Sequence, residues 1–141
     1  MSKYQSYRDL IVWQESINLV ENIYQTTKSF PKEEMFGLTS QIRRSSVSIP
    51  ANIAEGYGRN HTKEYLNHLS IANGSLSELE THIIISLRLN YINEENYHII
   101  WNHLQTIGKL LYGLRKSLNS SLNEEKQNSY PNTQYPKPNT L

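Results

Sequence analysis

The chain has no cysteine, which excludes disulfide staples, thiolate metal sites and cysteine nucleophiles together and leaves stability to packing. No run of apolar residues approaches the roughly 18 needed to span a bilayer, and residues 1–10 lack the apolar stretch of a secretory leader. These absences predict a cytoplasmic protein with no membrane attachment. An excess of one charge is missing as well. Lys and Arg number 14 and Asp and Glu 13, so no global field draws the chain toward nucleic acid or anionic lipid, and any basic function must be local. Gly56-Tyr57-Gly58 lacks the third glycine of a dinucleotide fingerprint and the Gly-Lys-Ser/Thr of a phosphate loop, and no strand precedes it.

What is present is helical periodicity. The 141 residues suffice for one domain with a real core, and apolar residues recur at spacings of three and four in four segments. The first runs Leu10, Trp13, Ile17, Val20, Tyr24, and the third Tyr65, Leu69, Ala72, Leu76, Leu79, Ile83. The fourth runs Tyr97, Ile100, Leu104, Ile107, Leu111, Leu114, Leu118. The second is weaker, with Met35, Leu38, Ile42, Ile49 and Ile53 on the stripe but Ser45 where another apolar side chain is due. None reads as a strand.

Punctuation agrees. Phe30-Pro31 separates the first two helices, Gly56 and Gly58 can end the second in a left-handed conformation, Asn60 or Thr62 can cap the third, and Asn93 with Glu94 and Glu95 can open the fourth. The expected helices cover 8–28, 33–57, 62–90 and 93–119. Such short connections force consecutive helices to turn back on themselves, which predicts an all-α, antiparallel up-down-up-down four-helix bundle over 8–119. Residues 1–7 read as a flexible N-terminus. Residues 120–141, rich in Ser, Asn, Gln and Pro, read as a disordered polar tail, whose Tyr-Pro pairs could also dock a partner.

Signs of catalysis are sparse. A di-metal bundle site needs two Glu-x-x-His pairs, and only Glu95 and His98 have that spacing. Glu78 and His82 stand one turn apart and read as surface pairing. Ser45, Ser46 and Ser48 lack a strand-turn-helix elbow and read instead as small residues for close helix packing. The expectation is therefore no enzyme, no catalytic residue, no metal, no cofactor and no small-molecule substrate.

The second helix departs most from a plain structural element. Pro50 lies mid-segment and predicts a kink near Pro50, or a division near residues 46–49. Arg44, Ser48, Asn52 and Glu55 line up a polar stripe at spacings of four, four and three. That stripe either faces water or, with Arg43, forms an inter-helix or inter-subunit network, with Arg59 and Lys63 extending a basic patch toward the next loop. The third helix opposes it with Ala72, Asn73, Gly74, Ser75 and Ser77. Gly74 in a helix interior costs ~1 kcal/mol relative to Ala, so a packing reason is expected. Apolar residues beside the seams, Ile11, Val12, Ile23, Ile84, Ile85, Ile99, Trp101 and Leu110, are either wide core stripes or a surface for a partner or a second copy.

The run from Gly37 to Arg59, GLTSQIRRSSVSIPANIAEGYGR, closely resembles the four-helix-bundle proteins encoded in intervening sequences of bacterial large-subunit ribosomal RNA genes. Further matches are Asp9-Leu10-Ile11-Val12-Trp13-Gln14, Phe30-Pro31 with Glu34, and the stretch from Ile71 to Glu80. The likeness spans about residues 7 to 118. It implies an up-down bundle that assembles into a ring, commonly a homopentamer, without known catalysis, acting on a protein or RNA partner. A related branch, the accessory variability proteins of diversity-generating retroelements, forms strongly basic barrels that bind nucleic acid and a reverse transcriptase, and the near-neutral charge here departs from it. Arg43, Arg44, Asn52, Glu55 and Arg59 fall on the family's motif, and with Lys63 they are the candidate partner or RNA-binding residues.

Overall fold

The computed structural model describes residues 6–129. Four helices occupy them: α1 (Ile11–Thr27), α2 (Leu38–Tyr57), α3 (Thr62–Arg88) and α4 (Glu94–Ser129), with single 3-10 turns at Tyr7–Asp9 and Lys32–Glu34. There is no strand among the described residues. Each helix packs on its chain neighbours and α1 closes on α4, while the diagonal pairs do not touch. Cross-helix contacts fix the directions. Between α2 and α3, Arg44 meets Glu78, Ser48 meets Ser75 and Asn52 meets His68, so positions rise on one helix as they fall on the other. The same inversion relates α1 to α4, where Glu15 meets His103 while Ile11 shares a groove with Leu110. It also relates α3 to α4, through Ser70 with Arg115 and Leu76 with Gly108. The bundle is antiparallel, as the short connections require.

The core follows from the apolar stripes read on α2, α3 and α4, and from a different face of α1 than the one read. Leu19 and Ile23 of α1, Ile49 and Ile53 of α2, Leu79 and Ile83 of α3, and Leu104 and Ile107 of α4 are all buried, each contributing about 1.5–3 kcal/mol of hydrophobic free energy. The stripe read on α1 is not its buried face: Trp13, Ile17 and Val20 are only half-buried, while Val12, Ser16, Leu19, Ile23 and Thr27, roughly 100° round the helix, enter the core. Tyr24 is exposed on the α1 surface, and Met35 follows a 3-10 turn that points it to solvent. Ser45, the apparent break in the second stripe, is completely buried, its Oγ donating back to the carbonyls of Gln41 and Ile42. A short hydroxyl satisfied by its own helix enters a core without a hydrogen-bonding penalty.

Several expected boundaries move. α2 starts at Leu38 rather than 33, because Lys32–Glu34 winds as a 3-10 turn and Gly37 is non-helical at φ −113°, ψ −116°. The Glu34 carboxylate then accepts from the Leu38 backbone N–H and from the Tyr91 hydroxyl at 2.9 Å, tying the two connections at this end together. That hydrogen bond, followed by burial and the negative charge of Glu34, raises the Tyr91 pKa. Pro50 is buried inside α2, but the helix runs unbroken through it, so the expected division does not occur.

No glycine takes a left-handed conformation among the described residues; Gly58 is right-handed, and the positive φ belongs to Asn90 at the end of α3. Neither Asn60 nor Thr62 caps α3, whose N-cap is His61 without a side-chain bond. Asn93 does cap α4, accepting from the Asn96 N–H at 2.8 Å. α4 itself continues to Ser129, past the expected end at 119, because half-buried Leu118 and Leu122 extend its stripe over the turn before α3. The expected tail is thus helical over 120–129, and 130–141 lie outside the described residues. At the other end, Tyr7 packs edge-on against Trp13 at 5.3 Å rather than belonging to a loose terminus, while residues 1–5 lie outside the described residues.

Candidate functional site

Small and polar side chains meet where α2 and α3 pack. Gly56 has no room for a side chain: a Cβ there would stand 2.8 Å from His68 Cβ and 3.2 Å from the Tyr65 carbonyl oxygen. This close approach is what the glycine supplies, rather than a helix stop. Farther along the seam, Ser75 Oγ donates to Ser48 Oγ at 2.8 Å, and Asn52 Nδ2 donates to the Ser48 carbonyl and hydroxyl at 2.8 and 3.1 Å. The freed Asn52 oxygen faces His68 Nδ1 at 3.2 Å, which places the imidazole proton on Nδ1. The polar stripe of α2 is therefore partly an inter-helix network within one chain. Its chemistry is that of register: the cross-helix bonds of this partly buried network are lost if the helices slip by one turn.

The arginines do not pool into one basic patch. Arg43 leans to the α1 side, where Nε donates to Thr27 Oγ1 at 2.9 Å and the guanidinium sits 4.6 Å from the Tyr24 ring centre. Arg44 leans the other way, bonding Gln41 and Glu78, and Glu78 in turn lies 3.4 Å from His82 Nε2. Arg59 pairs with Glu55 at 2.9 Å, one helical turn away. Lys63 is exposed in the first turn of α3, beside Leu122 and Glu125. Exposed pairs of this kind each contribute about 0–1 kcal/mol, yet they neutralise Arg44 and Arg59 locally.

Of the candidates, the structure thus joins Asn52 to the α2–α3 seam and Arg44 to its outer edge. It keeps Arg43 apart and leaves Glu55, Arg59 and Lys63 near the far end. Sequence reasoning places Ser75 opposite the stripe but misses Tyr24 and His68 as partners. The signal lay in the antiparallel pairing, which brings residues of falling number on α3 opposite rising ones on α2. It also missed the contact of His103 Nε2 with Glu15 at 3.0 Å between α4 and α1.

Glu95 and His98 sit in the first turns of α4, with His98 exposed and edge-on to Tyr97. No group of three or more His, Asp or Glu able to hold a metal gathers among the described residues. Glu80, partly buried on α3, has its pKa raised by burial.

Fold and seam together define an antiparallel four-helix bundle with a hydrogen-bonded, closely packed α2–α3 pair. The chain belongs to the 23S rRNA-intervening sequence protein family, whose model matches residues 8–113. Among solved structures it is similar to a protein of the S23 ribosomal protein family from Bacteroides thetaiotaomicron, described as a protein with unknown function. The two share 30% sequence identity at a TM-score of 0.70, over 75% of this chain and 96% of that one. No curated protein matches the chain.

Proposed function

We propose that the chain acts without catalysis, as one subunit of a self-assembled ring that binds or scaffolds a protein partner in the cytoplasm. The carrying observation is the surplus of apolar surface: with a core already complete, Ile11, Ile71, Ile85, Ile99 and Tyr112 remain between 40% and 66% exposed on the helices. Scattered apolar residues need no explanation, but these stand beside grooves such as that between α1 and α4, where a second surface would remove them from water. No described helix is long and apolar enough to cross a membrane. The family resemblance sets five copies as the expected ring size. Light scattering at micromolar concentration should return about five times the 16.4 kDa chain mass; a single-chain mass would refute self-assembly.

RNA is the second reading, motivated by the ribosomal RNA in the family's description and by the exposed cations Arg59 and Lys63 beside the α2–α3 turn. It draws less support from the geometry, because Arg44 and Arg59 already face carboxylates and Arg43 faces Tyr24. Binding to large-subunit ribosomal RNA fragments that weakens with salt and is lost in Arg43→Ala with Arg44→Ala would favour RNA. Binding indifferent to both would exclude it.

A further inference from the structure

The near balance of charge over the whole chain conceals an uneven distribution along α4. From residue 96 to residue 123 that helix carries no Asp or Glu, while Lys109, Arg115 and Lys116 fall in its middle. At 1.5 Å per residue this acid-free stretch is ~42 Å long. None of the three cations faces a carboxylate: the ion pairs among the described residues are made by Arg44, Arg59, His82 and His103. Arg115 is half-buried and leans toward α3, where Nη2 reaches Ser70 Oγ at 3.4 Å, and Lys109 and Lys116 are exposed. The arginines of α2 are engaged by partners within the chain; the cations of α4 are not.

One side of α4 presents the two lysines in a regular file. Gln105, Lys109, Tyr112, Lys116, Asn119 and Asn123 follow at four, three, four, three and four residues, and all six are exposed, so they share one outward stripe. Every Leu and Ile from 104 to 122 is buried or half-buried, and none belongs to the stripe. Tyr112, 66% exposed, is its one large apolar group. Its company separates it from the exposed isoleucines, because a lysine stands one turn away on either side. Toward the C-terminal end of α4, Asn119, Ser120 and Asn123 line a shallow groove with Tyr112, Arg115 and Lys116.

Each part of this stripe matches one part of a single-stranded RNA. Lysines track phosphates, and an exposed ring gives a stacking surface that any base can use. Amides and a hydroxyl beside the ring can meet base edges and the ribose 2′-hydroxyl. An anionic membrane would need an apolar helix face to enter the acyl boundary, which the stripe lacks, and a duplex would leave the ring without a free base. We infer that α4 binds single-stranded RNA along this stripe, with a base stacked on Tyr112 and the flanking phosphates held by Lys109, Lys116 and Arg115. This goes beyond the RNA reading above, which places the contact on Arg43 and Arg44 of α2.

The full chain is titrated with a fluorescein-labelled short oligouridine and followed by fluorescence anisotropy. With three cations on phosphates, the logarithm of affinity should fall against the logarithm of salt with a slope of about −2. Tyr112→Ala should weaken binding roughly 5- to 150-fold, the range of one base–aromatic stack, and Tyr112→Phe should restore it. Lys109→Gln with Lys116→Gln should make the slope shallower by about 1.4. All three sites are exposed, so circular dichroism should show the wild-type helix content in each variant. The deoxy oligomer should bind more weakly, polyphosphate should compete poorly and anionic vesicles should not bind. An affinity unmoved by Tyr112→Ala, a slope unmoved by the lysine pair, or DNA, polyphosphate or vesicles matching RNA overturns the proposal. Loss of binding in Arg43→Ala with Arg44→Ala but not in the α4 variants overturns it while leaving the α2 reading standing; no binding of RNA at all overturns both.

Discussion

Gly56→Ala isolates the spacing of α2 and α3 from everything else in the bundle. The added methyl would stand 2.8 Å from His68 Cβ, 3.0 Å from Tyr65 Cδ1 and 3.2 Å from the Tyr65 carbonyl oxygen. Two of those three atoms are tied to the α3 backbone, so relief requires the helices to part. Parting them also stretches the Ser75–Ser48 and Asn52–His68 contacts, now 2.8 and 3.2 Å. Overpacking of this kind costs about 1–3 kcal/mol, while the better helix propensity of alanine offsets about 1 kcal/mol. The net expectation is a loss of up to about 2 kcal/mol, or a Tm lower by up to roughly 10 °C for a bundle of this length. Gly108→Ala is the control. Its methyl meets only Leu76 Cδ2, at 3.4 Å, the far end of a flexible side chain, so propensity should win and stabilise by roughly 0.5–1 kcal/mol. Urea unfolding followed by circular dichroism, at one protein concentration so that any assembly contributes equally, reads both. If Gly56→Ala shifts the midpoint in the same direction as Gly108→Ala, the close approach is not what holds glycine at this position.

Leu104→Ala empties a fully buried position in α4 and should lower stability by about 2–5 kcal/mol with an unchanged urea slope. Asn52→Leu strands His68 Nδ1 and removes one of the two donors to the Ser48 hydroxyl in a partly buried seam; the expected loss is about 1–3 kcal/mol, and Ser75→Ala in the same background should depart from additivity, since the two share the Ser48 hydroxyl. Glu80 has its pKa raised by burial, so the fold favours its neutral form: that contribution is full below the unfolded value of 4.5 and lost as pH rises through the folded value. Glu80→Gln should therefore stabilise the single chain near pH 7 and make little difference below pH 4.5, and thermal melts of a monomeric background across that range would contradict the assignment if the gain were independent of pH. Tyr91, raised by its bond to Glu34, contributes fully below its ordinary value of 10 and loses that contribution as pH rises through the folded value, so Tyr91→Phe should flatten the alkaline arm of the stability curve.

The four helices were legible because one apolar stripe per helix is what burying a core from four sides requires, although α1 carries two such stripes and buries the one with Val12, Leu19 and Ile23, closed by the small polar Ser16 and Thr27, rather than the one with Trp13, Ile17 and Val20. The errors fall where a different force decided the local geometry. Residues 32–37 have the composition of a helix start, yet Glu34 serves two partners, Leu38 N–H and Tyr91 hydroxyl, and the chain winds as a 3-10 turn to bring it there. The end of α4 was obscured by composition. Ser, Asn and Glu dominate after 119, but Leu122 continues the stripe four residues beyond Leu118, and that spacing outweighs the polar residues between.

The candidate site was harder to read, because its meaning depends on which flank of α2 each residue takes. Arg43 and Arg44 are adjacent in sequence, and a step of one residue turns a helix by ~100°, which sends one toward Tyr24 on α1 and the other toward Glu78 on α3. A cluster in the sequence is thus divided in space, while Ser48, Asn52, His68 and Ser75, scattered over two segments, become one network. The glycines sort by the same logic. Gly56 is explained inside the chain, by atoms less than 3.5 Å from where its side chain would be; Gly74 and Gly113 are explained by nothing inside it. Two helices that each keep an unfavourable residue without a close approach in return leave a bare stretch of backbone on α3 and another on α4, and the force that selected glycine there is not intrachain packing.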